Sequence, residues 1–207
     1  MNCTLCDTPL SLKVDVEFFD CPSCKALVRD SVFWLAPDLE KAHYQTHQNN
    51  VFDIRYQKFV SPITDYVLKE YTPFNFGLDF GSGTGPVISK VLQDYNFQIE
   101  QFDPYFAPNH QVLNSQYDYI VSCEVAEHFY NPKLEFERLR NMLNLNGRLI
   151  FMTLLFSDHI DFRTWFYKKD PTHVFLYRKE TIQFIAERYS FNLEHISERV
   201  VVLRKMT

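Results

Sequence analysis

The sequence is short of glycine, of positive charge and of long apolar runs, and each shortage excludes something. With five glycines in 207 residues, no internal repeat and no low-complexity tract, the chain carries no signature of disorder. Lysine and arginine number 21 against 26 acidic residues, and the net charge of −5 argues against a broad nucleic-acid footprint. A local basic patch stays open. The longest apolar run, residues 149–156, is interrupted by Thr153 and is far too short to span a membrane. The first residues have neither the basic nor the apolar region of a signal peptide, so a cytoplasmic protein is expected. What is plentiful is core material. Hydrophobic residues make up 46% and aromatics 16%, enough for one domain and a small appendage.

Three of the five glycines, Gly81, Gly83 and Gly85, fall at alternate positions of one stretch. Before them, Phe76, Leu78 and Phe80 alternate as in a buried strand, with Asp79 at its end. After them, Pro86 opens a run with helical spacing, Val87, Ile88, Val91 and Leu92. A strand, a glycine turn with Ser82 and Thr84, and a helix bring backbone amides and a helix N-terminus to an anionic ligand. A plain tight turn is the other reading. No lysine follows Gly85, which excludes a P-loop, and Pro86 stands where the dinucleotide fingerprint has its third glycine. A second strand over residues 97–102 leads to Asp103, 22 positions after Gly81, a spacing that suits a ribose diol.

Cys3, Cys6, Cys21 and Cys24 form C-x2-C-x14-C-x2-C, two close pairs suited to a closed tetrahedral zinc site. The alternating residues between them predict a hairpin. So short a segment buries too little to fold unaided, which gives the metal a structural task. The expected organisation is a ribbon over 1–30, a linker and helical cover over 31–53, and a main domain over 54–207. Within the last, residues 157–175 are rich in aromatics and mixed charge, as a cap would be. Helices are expected over 55–71, with Phe59, Ile63, Val67 and Leu68 inward, over 132–142, with Leu134 and Phe136 inward, and over 178–189. Glu124, Glu127 and His128 have the i, i+3, i+4 spacing of one helical face. Two carboxylates and an imidazole there serve either as general base or as metal ligands.

Together and in this order, these motifs resemble those of class I S-adenosylmethionine-dependent methyltransferases, over roughly residues 44–205. The resemblance implies an α/β fold: a seven-stranded, Rossmann-like, doubly wound sheet with an antiparallel last strand, here carrying the small N-terminal zinc ribbon. It implies that Asp79 and the turn of Gly81, Ser82, Gly83, Thr84 and Gly85 hold the methionine part of S-adenosylmethionine. Asp103 would take the ribose hydroxyls, and Glu124 would also touch the cofactor. The chain is similar, more narrowly, to a group of bacterial methyltransferases with paired N-terminal cysteines and segments matching Tyr44, His47 and Asn49, and residues 170–174. That likeness implies that Tyr44 and His47 close over the cofactor. The Glu-x-x-Glu-His stretch is similar to that of quinone O-methyltransferases and small-RNA 2′-O-methyltransferases. By that resemblance His173 joins Glu124, Glu127 and His128 in taking the acceptor's proton or in holding a divalent metal such as magnesium. A small-molecule hydroxyl is the expected acceptor. The alternatives are an RNA or protein brought by the ribbon, and a scaffold that only senses cofactor. A nicotinamide oxidoreductase is disfavoured by the glycine spacing.

Overall fold

The computed structural model describes residues 1–46 and 49–207. The chain begins with three short strands, β1 (Leu12–Lys13), β2 (Phe18–Asp20) and β3 (Leu27–Arg29). Two helices follow, α1 (Pro37–Gln45) and α2 (Ile54–Glu70), then β4 (Phe76–Phe80), α3 (Val87–Asp94) and β5 (Gln98–Phe102). The remainder is β6 (Tyr117–Cys123), α4 (Pro132–Met142), β7 (Leu143–Met152), β8 (Phe175–Leu176), α5 (Lys179–Arg188), β9 (Phe191–Ile196) and β10 (Val200–Lys205).

The main sheet runs β5-β4-β6-β7-β10-β9. β5, β4, β6 and β7 pair in parallel, whereas β10 is antiparallel to both β7 and β9. Chain order reverses between β4 and β6, so the carboxyl ends of these two strands open a crevice, the place where such sheets bind ligands. The expected antiparallel strand is present, but among the described residues the sheet has six strands, not seven. The 14 residues between β5 and β6 (103–116) hold a tight turn closed by Asp103 and Ala107 and a 3₁₀ turn, His110–Asn114. A further parallel strand needs a crossover of about a dozen residues besides the strand itself. Pro104 and Pro108 also remove two ladder donors from this short connection.

Both faces of the sheet are covered. α2 and α3 bury Val60, Ile63, Val67, Val87 and Leu92 against Tyr119, Val121 and Ile150. On the other face, Phe136 and Leu139 of α4 and Ile182 of α5 pack with Leu78, Phe80 and Phe151. Two expected inward residues face out instead: Phe59 is 37% exposed, with Val60 taking its place, and Leu134 is 51% exposed. One position along a helix turns a side chain by about 100°, enough to move it from the sheet to water.

The ribbon is fused to the main domain. β3 pairs antiparallel with β8, Leu27 opposite Leu176 and Val28 opposite Phe175, giving a second sheet in the order β1-β2-β3-β8. Cys3, Cys21 and Cys24 belong to the same buried cluster as Leu78, Phe80 and Phe151. Residues 157–174 form turns, with one 3₁₀ turn over Tyr167–Lys169. Trp165 packs there with Phe18, Leu27, Phe156 and Leu176, so it is core, while Phe166 is exposed.

Candidate cofactor and catalytic site

The glycine turn lies at the carboxyl end of β4. Gly81 (φ 82°) and Gly83 (φ 64°) are left-handed, a conformation that costs other residues about 1–2 kcal/mol. A Cβ at Gly81 would stand 2.4 Å from Val125 Cγ2, and one at Gly85 would stand 2.0 Å from the Asn49 carbonyl oxygen. Gly81→Ala is therefore expected to lower stability by about 1–3 kcal/mol, read as a lower denaturant midpoint. The Gly81 and Ser82 amides donate to the Phe102 carbonyl at 2.8 and 3.1 Å, and the Gly83 amide to Asp103 Oδ2 at 3.0 Å. These amides thus lock the turn to the end of β5. Ser82 Oγ is buried and has no partner among the described residues, Thr84 is exposed, and a Cβ on Gly83 would meet nothing nearer than 3.9 Å. Asp79 Oδ2 accepts from the Ser89 hydroxyl at 2.8 Å and its amide at 3.3 Å, which ties β4 to α3. Burial pushes the Asp79 carboxyl up to about 6, against the opposing effect of Ser89. Asp79, Gly81, Ser82, Gly85, Tyr56 and Cys123 line a cavity of about 20 Å³, room for about one water.

Asp103 begins the acidic loop. Its Oδ1 accepts from the Tyr105 and Phe106 amides at 2.8 and 2.9 Å, so with Gly83 it holds loop and turn together. α1 covers this loop. Glu40, buried on α1, accepts from Tyr44 Oη at 2.8 Å and from Tyr105 Oη at 2.9 Å. The Tyr44 ring stands edge-on to His128 with centroids 5.3 Å apart. His47 lies outside the described residues.

Glu124, Glu127 and His128 do not share a helical face. Glu124 is left-handed (φ 53°) and precedes a single 3₁₀ turn, Ala126–His128. Arg199 donates to Glu124 Oε1 at 2.9 Å. The Tyr167 phenol lies 3.1 Å from Glu124 Oε2 and also contacts Glu127 Oε1. Burial raises both carboxyls above the usual range; the neighbouring charge adds to this at Glu124. His128 Nδ1 faces the Thr172 carbonyl at 3.0 Å, and His173 Nδ1 faces that of Tyr167 at 2.6 Å. A carbonyl only accepts, so both Nδ1 atoms carry the proton and both Nε2 atoms keep a lone pair. The two rings lie 4.8 Å apart. Burial lowers His128, and burial together with His128 lowers His173 to about 3.

Sequence reasoning thus brought together Glu124, Glu127, His128 and His173, and Asp79 with the turn and Asp103. It missed Glu40, Tyr167 as the link between the glutamates, and Arg199. Glu40 has a local partner four positions on in Tyr44, but Tyr105 is 65 positions from Glu40 and Arg199 is 75 from Glu124.

Cys3, Cys6, Cys21 and Cys24 place their sulfurs within 4.8 Å of one another, with Cys3–Cys24 at 3.6 Å and Cys6–Cys21 at 3.4 Å. Four sulfurs each about 2.3 Å from one ion stand about 3.8 Å apart, so the cluster fits a zinc ribbon. The Cys21 sulfur and burial raise Cys3, the Cys21 and Cys3 sulfurs and burial raise Cys24, and hydrogen bonds from Cys24 and Cys3 hold Cys21 well below the usual thiol range. Magnesium does not fit the second group. Glu127, His128 and His173 offer two imidazoles and one carboxylate, with Glu124 held by Arg199, whereas magnesium takes oxygen ligands and keeps several waters.

Residues 52–196 match the family model described as a methyltransferase domain. No curated protein matches the chain in sequence. Among solved structures, human N-acetylserotonin methyltransferase in complex with SAM is similar with a TM-score of 0.54 at 16% identity. The alignment covers 73% of this chain and 54% of that one, so the chain spans about half the human protein's length. The 1,6-didemethyltoxoflavin-N1-methyltransferase of Burkholderia thailandensis, with bound 1,6-didemethyltoxoflavin and S-adenosylhomocysteine, gives 0.55 at 13% identity, covering 94% and 98%. Magnesium protoporphyrin IX methyltransferase from Synechocystis PCC 6803, with bound SAH, gives 0.52 at 11% identity, covering 82% and 95%. A parallel sheet with this glycine turn, an acid after its second strand and a family match over most of the chain leave one assignment: the protein belongs to the methyltransferase-domain family, the class I S-adenosylmethionine-dependent methyltransferases.

Proposed function

We propose that the protein methylates a hydroxyl of a small molecule, with His128 as the base that accepts the hydroxyl proton. The observation that carries this is the locked pair of imidazoles at the carboxyl end of β6, each with its Nδ1 proton on a backbone carbonyl and its Nε2 lone pair available. When bound, S-adenosylmethionine supplies an electrophilic methyl group. The chain's part is to hold cofactor and acceptor in line, exclude water and take the proton. Ser82, with its unsatisfied hydroxyl, and the open backbone at Gly83 are suited to the methionine part, and the remaining lone pair of Asp103 Oδ2 to the ribose. The small cavity at the turn requires Asn49 and Tyr56 to stand away before a nucleoside enters. His128 is the better base of the two, since His173 is held to about 3 and accepts a proton only in acid.

A small-molecule acceptor is supported by the acceptors for which similar proteins are named, N-acetylserotonin and 1,6-didemethyltoxoflavin. The ribbon adds no basic handle for RNA: residues 1–30 hold three basic residues (Lys13, Lys25, Arg29) and five acidic ones (Asp7, Asp15, Glu17, Asp20, Asp30). Its four thiolates are proposed to hold zinc in a purely structural role. Among the described residues no helix is long and apolar enough to cross a membrane.

Calorimetric titration with S-adenosylmethionine, S-adenosylhomocysteine and NAD tests the cofactor. Micromolar binding of the two sulfur nucleosides and none of NAD is expected; the reverse overturns the proposal. A pH profile tests the base. Burial lowers His128, so it stays neutral below the ordinary histidine value of about 6.5. Turnover is therefore expected to be flat through neutrality and to fall with acid only below about pH 6.5, where His128 gains its proton.

A further inference from the structure

We infer that Glu40 makes the site prefer the cationic, methyl-bearing cofactor over its neutral-sulfur product. This rests on the methyltransferase reading above. Glu40 is 6% exposed, and its two oxygens accept one phenol each, from Tyr44 and Tyr105. Among the described residues it forms no ion pair. Two neutral donors fill part of a carboxylate's acceptor capacity but leave its charge uncompensated, and a buried charge without a counter-ion is costly. Among the described residues, Glu40 is therefore a buried carboxylate with no ion-pair partner.

Its position says which cation. Tyr105, on one side, is two residues from Asp103 and gives it an amide hydrogen bond at 2.8 Å. Tyr44, on the other, stands against the ring of His128, and the Tyr44 and Tyr105 rings are 6.0 Å apart. Glu40 thus bridges the acid assigned to the ribose and the imidazole assigned to the acceptor's proton. In S-adenosylmethionine the sulfonium is one methylene from the ribose and carries the methyl that is transferred, so with the ribose at Asp103 and the acceptor at His128 it would lie between those two groups. The Arg199 guanidinium is already engaged with Glu124.

The reaction removes this charge. The acceptor oxygen bonds to the methyl carbon, the carbon–sulfur electron pair stays on sulfur, and the acceptor's proton goes to His128. S-adenosylhomocysteine keeps the ammonium and carboxylate of its parent and differs by one methyl and one positive charge. Comparing the two nucleosides isolates the sulfonium, and a carboxylate facing it helps product leave.

The experiment is calorimetric titration of S-adenosylmethionine and S-adenosylhomocysteine into the full chain and into Glu40→Gln and Tyr105→Phe. The wild type is expected to favour S-adenosylmethionine. Glu40→Gln is expected to weaken it about tenfold, with S-adenosylhomocysteine within about twofold. Tyr105→Phe removes a neutral donor but leaves the charge, so it is expected to keep the preference. Equal losses of both nucleosides in Glu40→Gln, no loss of either, or the same change of ratio in Tyr105→Phe would overturn the inference while the methyltransferase reading stands. Failure of both to bind the wild type would overturn both.

Discussion

His128→Ala is expected to lower turnover by about 10²–10⁴-fold, the usual contribution of a positioned general base, while cofactor affinity stays within about twofold. The asymmetry follows from geometry. His128 is oriented by the Thr172 carbonyl and packs against Tyr44 and His173, whereas the glycine turn is held by Phe102, Asp103 and Ser89. Removing the imidazole leaves the second group intact. A rate assay at saturating acceptor, paired with calorimetry, separates the two effects. Loss of the acid limb of the pH profile in the same variant distinguishes a missing base from a disturbed pocket. Retention of full turnover would remove His128 from the mechanism.

Cys24→Ser is expected to empty the proposed zinc site and unfold more than the ribbon. Cys24 is fully buried, and it shares a core with Leu78, Phe80 and Phe151 of the main sheet. Structural zinc supplies about 10–16 kcal/mol in small ribbons, of the order of a whole domain's stability. The damage travels through β3. The Arg29 amide donates to the Val174 carbonyl at 2.8 Å, and its guanidinium donates to the Lys168 carbonyl at 2.8 Å. Val174 in turn donates to the Glu127 carbonyl at 2.9 Å. Ribbon, His173 segment and glutamate turn are therefore one mechanical unit. Metal analysis is expected to fall from one zinc per chain to none, and the melting temperature to drop by about 10 °C or more. Unchanged melting with zinc lost would show the ribbon to be a detachable module.

How much of this was visible beforehand depends on the range of the interaction. The hairpin closed by cysteines, the glycine turn and the helix α4 with its Asn131 cap and Pro132 start were all legible, because spacing, periodicity and capping act within a few residues. The order of motifs was enough to imply the α/β sheet and its antiparallel strand. The missing strand between β5 and β6 was less visible, since its absence depends on whether 14 residues close a crossover. The inward face slipped by one position at Phe59, because the adjacent Val60 is apolar enough to take its place, whereas in α4 Phe136 and Leu139 are buried and Leu134 faces water.

The sequence by itself determined the local elements, the four-cysteine cluster and the candidate acids and histidines. Only the tertiary structure decided what those groups face. Glu40 gained the Tyr105 phenol, Glu124 its arginine and His128 its carbonyl partner across tens of residues. Burial then raised the glutamates and lowered the histidines. Residue type supplies the chemistry, but desolvation and long-range contacts tune it, and both exist only once the chain has folded.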